Sequence, residues 1–332
     1  MVTARELVLC RRPRGRIEPE CFTLAERELP PLSPGQLLVR AECFSVDPSM
    51  IPRLSADTYA PAFDLGVAVE ARAVGQVVQS TADGWLEGDW AVCWGGWRDY
   101  AVVEASAGIR IEPGDGLPPG TWLHALGVPG LTAYVGMVDV ARIQPGDRVW
   151  VSAAAGAVGS VAAQLARARG AALVIGSAGG AEKARYLTET LGLDAAVDYR
   201  AGDLAGQLRA IAPDGIDLYF DNVGGDHLEA AIGLLRLGGR AAICGMISGY
   251  GKPPQPGPGN LTQLIVKRLR LEGFLVLDHL HRRAAFEDEV RPLIESGTLR
   301  SDVTLFDGLE SAPRALLSLL DGAKLGKALV RP

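Results

Sequence analysis

Between Val149 and Gly159 the chain reads VWVSAAAGAVG, and no other stretch restricts its fold so tightly. Val149, Trp150 and Val151 are β-branched or aromatic and uncharged, the make-up of a strand buried on both faces. SVAAQLARARG follows with apolar residues at helical intervals. Between strand and helix, Ala153, Gly156 and Gly159 fall at A-x-x-G-x-x-G spacing, with Ala157 and Val158 between the two glycines. Small side chains on such a turn let a ligand approach the backbone. The free N–H groups of the first helical turn and the positive end of the helix dipole converge there, so the segment reads as a cradle for a pyrophosphate. Glycines at a strand-to-helix turn can serve packing alone. The strand before and the helix after supply the context that a dinucleotide site requires.

The next strand distinguishes between dinucleotides. Within AALVIGSAGGAEKARYL, Ala171 to Leu187, the strand is expected to end near Ile175. A free ribose 2′-hydroxyl is usually held by Asp or Glu about 20 residues past the glycine turn. Here Gly176, Ser177, Ala178, Gly179 and Gly180 occupy that region, no acid precedes Glu182, and Lys183 and Arg185 follow at once. A small hydroxyl and cations suit a 2′-phosphate, which wants donors and positive charge. The two cations could equally be solvated charges on a surface helix, but that reading leaves the missing acid unexplained. NADP(H) is the expected cofactor.

The rest of the composition bounds the class. A chain of 332 residues exceeds a comfortable single core, so two domains are expected. With 48% hydrophobic and 22% charged residues, disorder is excluded. A net charge of −6 without long basic runs argues against nucleic acid as a partner. The basic N-terminus MVTARELVLCRRPRGR lacks an apolar core of signal-peptide length, and no apolar run approaches a membrane span, so the cytoplasm is the expected compartment. Cys10, Cys21, Cys43, Cys93 and Cys244 form no C-x-x-C pair and no disulfide framework. Of the histidines His124, His227, His279 and His281, the last two could share a strand face, but no further ligand completes a site. Metal-independent chemistry is expected.

Residues up to about Pro119 read as short strands, among them GQLLVRAECFSV, AVGQVVQST and DWAVCWGGWRDYAVV, punctuated by turn residues as in an antiparallel or barrel-like unit. From Thr132 helices alternate with buried strands: helices at Ala133–Val140 and Ser160–Arg169, strands at Arg148–Ser152, Ala172–Ile175, Ile216–Phe220, Arg240–Cys244 and Leu269–Val276. That alternation is the sequence form of an α/β, doubly wound parallel sheet. LESAPRALLSLLDGAKLGKALVRP reads as a helix and strand returning to the first domain.

Ligand loops of such a sheet lie beyond the carboxyl ends of its strands. YFDNVGGD (Tyr219–Asp226) and ICGMISGY (Ile243–Tyr250) are two of them. Asn222 can position the nicotinamide or its ribose, and Tyr250 can place a phenolic hydroxyl near the reacting carbon. The plainer alternatives are a turn asparagine in left-handed conformation and a loop aromatic packed over Pro253 and Pro254.

GVPGLTAYVGMVDVARIQPGDRVWVSAAAGAVGSVAAQLARARG resembles the central block of the medium-chain dehydrogenase/reductase superfamily. Together with VDPSM (Val46–Met50), FDNVGG (Phe220–Gly225), ICGMISGY, ESGTLR and LESAPRALL, it is similar to the zinc-free branch of leukotriene B4 dehydrogenases, prostaglandin reductases and alkenal double-bond reductases. The resemblance implies a Rossmann NADP-binding domain at 124–299 and a split, β-rich GroES-like domain at 1–123 and 300–332. It also implies NADPH and a homodimer joined through the Rossmann sheets. By the same resemblance Ala153, Gly156, Ala157, Val158 and Gly159 line the pyrophosphate, and Ser177 and Lys183 meet the 2′-phosphate. Tyr199, Asn222, Cys244 and Ile247 also contact the cofactor, and Tyr250 stands near the substrate carbonyl. The region where zinc-dependent cousins carry G-H-E reads GVAVEARAVGQV, without histidine.

Two positions depart from the family pattern. Ser49 stands where D-P-Y-M has tyrosine, and Lys324 stands where G-x-N-x-G-K has asparagine. With Ser49, the aromatics Tyr59, Trp94 and Trp97 are candidate walls of the substrate pocket, although each could be core or loop packing. The expected activity is NADPH-dependent reduction of the C=C bond of α,β-unsaturated ketones or aldehydes, by zinc-independent hydride transfer to the β-carbon. Tyr250 and a ribose hydroxyl would stabilise the resulting enolate. Quinone reduction on the same scaffold, or a cofactor-binding protein with lost or altered catalysis, are the alternatives.

Overall fold

The N-terminal third of the chain holds no helix-period run of any length, and its alternating apolar residues form strands. In the computed structural model, which describes residues 2–15, 17–114, 117–252, 256–322 and 325–332, β1 (Thr3–Leu9) pairs antiparallel with β2 (Phe22–Glu28). Next come β3 (Gln36–Ser45), a single helical turn α1 (Met50–Arg53), β4 (Ala73–Ser80), β5 (Trp90–Cys93), β6 (Tyr100–Glu104) and β7 (Ile109–Ile111). All are antiparallel to their neighbours. Their interior is centred on Trp97, which is fully buried, lies 5.5 Å from Phe22 and 6.1 Å from Phe44 by ring centroids, and donates its indole N–H to the Ser45 carbonyl. Trp97 is therefore a core residue rather than a pocket wall.

The second unit is the expected α/β alternation. It begins with α2 (Val128–Tyr134), which runs on into π-helical turns over Val135–Val140. Then follow β8 (Arg148–Val151), α3 (Ala157–Ala168), β9 (Leu173–Ala178), α4 (Ala181–Arg185), β10 (Ala195–Asp198), α5 (Leu204–Ile211), β11 (Ile216–Asp221), α6 (Gly225–Leu234), β12 (Leu235–Ile243), α7 (Thr262–Lys267), β13 (Arg270–Gly273) and α8 (Arg283–Glu295). Among the described residues the strands form a parallel sheet in the order β10-β9-β8-β11-β12-β13. The chain winds outward from β8 to β10 and then crosses back to β11, so the strand order reverses beside β8. That reversal opens a ligand crevice at the carboxyl ends of β8 and β11. Val149, Trp150 and Val151 are 0% exposed, as a strand covered on both faces requires.

The chain then returns to the first unit. β14 (Val303–Asp307) runs parallel to β15 (Lys327–Arg331) across helix α9 (Ala312–Asp321), and β15 pairs antiparallel with β3. The units are Met1–Leu123 with Val303–Pro332, and His124–Asp302. The return lies three residues beyond position 300 because residues 300–302 are tied to the second unit. The Gln164 side chain bonds both backbone groups of Arg300, His124 Nδ1 lies 3.0 Å from Ser301 Oγ, and the Tyr186 hydroxyl donates to Asp302 at 2.7 Å.

Some elements differ from their sequence expectation. The cofactor helix starts at Ala157, one turn before Ser160, because Gly156 in extended conformation already serves as its N-cap. β9 runs to Ala178 instead of ending near Ile175, since Ser177 and Ala178 continue the ladder with β10. β10 itself, a short edge strand, carries too few apolar residues to register as a strand in the sequence.

A mixed polar and aromatic stack packs against this sheet. His227, 6% exposed, lies 5.8 Å from Trp150 and 5.2 Å from Tyr199 by ring centroids, and its Nε2 is buried without a hydrogen-bond partner. Burial lowers its pKa from 6.5 to about 4. Between those values the unfolded chain takes up a proton that the folded chain refuses, so stability present above pH 6.5 is lost as the pH falls and the loss is complete below about pH 4. The full penalty is about 3 kcal/mol. His227→Phe, which keeps a ring against Trp150, should remove this acid sensitivity. Urea unfolding at pH 7.5 and pH 5 reads it: wild type should lose more stability than the variant, and equal losses would contradict the assignment.

Candidate active site

The turn after β8 has the geometry of an anion cradle. Ala153 adopts a left-handed conformation (φ 49°), which swings the chain from the strand towards α3. A Cβ on Gly159 would stand 2.3 Å from the Ala153 carbonyl oxygen, so only glycine lets the helix rest on the turn. A Cβ on Gly156 would meet only that oxygen, at 3.1 Å, and otherwise project into open space. No side chain caps α3, so the amide groups of its first turn, at Ala157, Val158 and Gly159, keep their donor capacity for a ligand. Ala153, Gly156, Ala157 and Val158 are half-buried, while Gly159 is buried and acts through packing. An uncapped helix N-terminus behind a turn of small residues has the donors a pyrophosphate requires.

At the carboxyl end of β9 a second anion site takes shape, with one difference from expectation. Ser177 is 0% exposed, and its hydroxyl accepts the Trp150 indole N–H at 3.1 Å. With β9 extended to Ala178, strand alternation puts Ser177 on the same face of the sheet as Ile175. The groups gathered at this end are instead Lys183, Tyr199 and Arg200. A Cβ on Gly179 would lie 2.7 Å from the Tyr199 hydroxyl and 2.8 Å from Arg200 Nε. Gly180 opens α4 at φ 97°, a conformation that favours glycine, and its N–H is held by Asp198 Oδ1 at 2.8 Å. The same oxygen accepts the Arg200 N–H, so Asp198 shapes the loop. Burial, and then the Arg200 charge, lower the Lys183 pKa. Arg200 and Tyr199 meeting over a glycine, with Lys183 within reach of the Arg200 charge, suit a 2′-phosphate. Arg200 escaped the sequence reading because only the pairing of β10 with β9 brings it here.

The loops after β11 and β12 are fastened around Asp221. Its Oδ1 accepts the Tyr219 hydroxyl at 2.7 Å, the Val223 and Gly224 N–H groups at 2.9 Å each, and the Ser152 hydroxyl at 3.3 Å. Its Oδ2 is buried without a hydrogen-bond partner, and burial raises the carboxyl pKa against those donors. The Asp221 backbone carbonyl accepts the Cys244 and Gly245 N–H groups, and the Asn222 and Val223 carbonyls accept those of Ile247 and Ser248. Loop 244–250 is thereby laid on loop 221–225. Asn222 donates its Nδ2 to the Ser152 carbonyl at 2.8 Å and its backbone N–H to the Ser152 hydroxyl at 2.9 Å, which leaves Oδ1 as the acceptor it can offer a ligand. It is not left-handed; Gly224 (φ 71°) and Gly225 (φ 51°) make the turn. A Cβ on Gly245 would stand 3.6 Å from the Asn222 carbonyl oxygen and 3.8 Å from the Tyr250 hydroxyl. Asn222, Cys244, Ile247 and Tyr250 thus come together at one end of the sheet. Burial and the Asp221 charge push the Cys244 thiol up to about 12, so it stays a neutral thiol. The suggested packing of Tyr250 over Pro253 and Pro254 falls outside the described residues.

In the first unit the loop Val46–Met50 is held from beneath by a buried ammonium. Lys327, 1% exposed, donates to the Val46 carbonyl at 2.7 Å and to Asp47 Oδ1 at 2.8 Å, while the Ser45 hydroxyl donates to Asp47 Oδ2. This fixes the stem on which Ser49 opens α1. Tyr59 and Trp94 are 56% and 54% exposed. Lys324 lies outside the described residues.

Two family models match the chain, "N-terminal domain of oxidoreductase" over residues 5–111 and "Zinc-binding dehydrogenase" over residues 157–296. The NADPH-dependent curcumin reductase of Escherichia coli (strain K12) is 37% identical, covering 98% of this chain and 96% of that protein. The chain is a zinc-free medium-chain dehydrogenase/reductase. The 2-alkenal reductase (NADP(+)-dependent) of Nicotiana tabacum is 38% identical over 90% of this chain and 88% of that protein. The crystal structure of CurA from Vibrio vulnificus in complex with NADPH superposes with a TM-score of 0.91 at 35% identity, covering 98% of both chains. The second model takes its name from zinc-binding members; among the described residues of this reductase no group of three or more His, Cys, Asp or Glu could hold a metal. His279 and His281 stack at 6.1 Å without a further ligand.

The 2′-phosphate site has a direct test. Lys183→Ala removes one charge-assisted donor, so the dissociation constant for NADPH should rise by roughly tenfold or more, with that for NADH changed by less than about twofold. Isothermal titration with both dinucleotides reads it, and equal losses for the two would contradict the site.

Proposed function

We propose that the protein uses NADPH to reduce the carbon–carbon double bond of α,β-unsaturated ketones and aldehydes. The observation that carries this reading is the identity of 37% and 38%, along nearly the whole chain, to relatives named for curcumin and 2-alkenal reduction. The cations Lys183 and Arg200 gathered after β9 support NADPH over NADH. Bound NADPH supplies the hydride equivalent that reduces the substrate β-carbon.

The chain contributes binding, orientation and a proton held at a defined atom. The first turn of α3 binds the pyrophosphate through backbone donors, and Lys183, Tyr199 and Arg200 hold the 2′-phosphate. Asn222, clamped by Ser152, presents Oδ1 to donors at the nicotinamide end. Tyr250 keeps its proton on the phenolic oxygen and donates a hydrogen bond to the substrate carbonyl oxygen, where negative charge builds as the enolate forms. Protonation of the α-carbon then completes the saturated ketone or aldehyde. Ser49, Tyr59 and Trp94 belong to the substrate pocket.

We place the enzyme in the cytoplasm, in keeping with five free cysteines. We also propose a homodimer. β13 ends the parallel sheet with an unpaired edge among the described residues, and Ile265 and Val266 of the adjoining α7 are 78% and 57% exposed. Sedimentation equilibrium would then give twice the chain mass, and a single-chain mass would refute the dimer.

NADPH oxidation against a panel of enones and enals should yield saturated carbonyl products. Tyr250→Phe should lower kcat by roughly tenfold to a hundredfold. If no enone or enal is reduced, the reading fails; if the variant turns over as fast as wild type, Tyr250 loses its role.

A further inference from the structure

His124 is fully buried, and both of its ring nitrogens have polar partners. It is the first residue of the second unit, and those partners belong to the same unit. Nε2 lies 3.0 Å from the Ala157 carbonyl oxygen, and Nδ1 lies 3.0 Å from Ser301 Oγ. A carbonyl oxygen can only accept, so the bond to Ala157 requires a proton on Nε2. The neutral ring then accepts the Ser301 hydroxyl at Nδ1. Ser301 is itself a fixed anchor, because Gln164, two turns along α3, holds its neighbour. Gln164 accepts the Arg300 N–H at 2.8 Å and donates to the Arg300 carbonyl at 3.2 Å. An apolar side chain would suffice to fill this space, whereas a buried imidazole costs a desolvation that its two bonds must offset.

The Ala157 carbonyl matters because of the peptide group it belongs to. The N–H of that same group is the Val158 N–H, at the opposite end of the peptide dipole. The Gly156 N–H is taken by the Ala153 carbonyl and the Ser160 N–H by the Gly156 carbonyl. Between them the amides of Ala157, Val158 and Gly159 form the open end of α3. A donor placed on the oxygen of a peptide group draws electron density from its nitrogen and makes the N–H a stronger donor. We propose that His124 is a positioning residue for the cofactor: from behind α3, its Nε2–H holds and polarises the Ala157–Val158 peptide, so that the Val158 N–H binds the pyrophosphate more tightly. The proposal deepens the reading of α3 as the pyrophosphate cradle and rests on it. Ser301, by occupying Nδ1, keeps the ring in the orientation and tautomer that this bond needs.

The test uses two ligands that share the 2′-phosphate and differ in the pyrophosphate, adenosine 2′-monophosphate and 2′-phospho-ADP-ribose. Both are titrated calorimetrically into wild type, His124→Asn and His124→Gln. Asparagine keeps an amide near Ser301 but is too short to reach Ala157, while glutamine is long enough to present its Nε2 to that carbonyl. The affinity advantage of 2′-phospho-ADP-ribose over the monophosphate should fall about fivefold in His124→Asn and stay within about twofold of wild type in His124→Gln. Affinity for the monophosphate should be unchanged in both. A space-filling role would weaken the two ligands together and leave the ratio unmoved. An unchanged ratio in His124→Asn, or an equal fall in His124→Gln, overturns the proposal while the pyrophosphate reading stands. If wild type binds the two ligands equally well, that reading falls and the proposal falls with it. Should His124→Asn fail to fold, nitrogen-15 NMR of wild type at about pH 8 decides: a proton on Nε2 of His124 is the expected result, and an Nε2 without one overturns the proposal.

Discussion

A single buried carboxylate organises the ligand end of the parallel sheet. Asp221 terminates β11, gathers the Tyr219 and Ser152 hydroxyls and the Val223 and Gly224 N–H groups on one oxygen, and holds the start of the next loop through its backbone carbonyl. Burying a carboxyl group is costly unless it is hydrogen-bonded, and the second oxygen of Asp221 has no hydrogen-bond partner. What the arrangement provides is position. Ser152 comes from the end of β8, Asn222 from β11 and Gly245 from β12, so three strand ends are fixed relative to one another by one residue, through its side chain and its backbone carbonyl. Asn222 then has a single orientation available, and the Tyr250 hydroxyl sits near a known backbone point.

The GroES-like unit repeats the device with the opposite sign. The Lys327 ammonium is buried beneath the Val46–Met50 loop and satisfied by a carbonyl and by Asp47. In both units a charge taken out of water fixes a loop that has no regular structure of its own, and a network of this kind is rigid only when its members are bonded. Catalysis that depends on orientation and on a hydrogen bond to a developing oxyanion calls for such rigidity.

The legible part of the protein was its local part. The glycine spacing at Ala153–Gly159, the uncharged run Val149–Val151 and the absence of an acid after β9 are read within a few residues, and they identify the fold and the cofactor class. Asn222 and Tyr250 follow from the rule that ligand loops leave the carboxyl ends of strands. What escaped depends on neighbours distant in sequence. Ser177 turns inward because β9 runs three residues further, a length set by its pairing with β10. Arg200 reaches Gly179 only through that pairing. Trp94 and Trp97 look alike in the sequence, and only packing against Phe22 and Phe44 makes one of them core. Lys327 reads as a surface cation until β15 is placed beside β3, over Asp47.

The proposed reaction is defined by where the reducing equivalent is delivered. Reduction of an enone with NADPH deuterated at the transferring position, followed by NMR of the product, measures this directly. Deuterium at the β-carbon of a saturated ketone, with the carbonyl intact, is the predicted result. Deuterium on the carbinol carbon of an allylic alcohol, or no transfer to any enone, would contradict it.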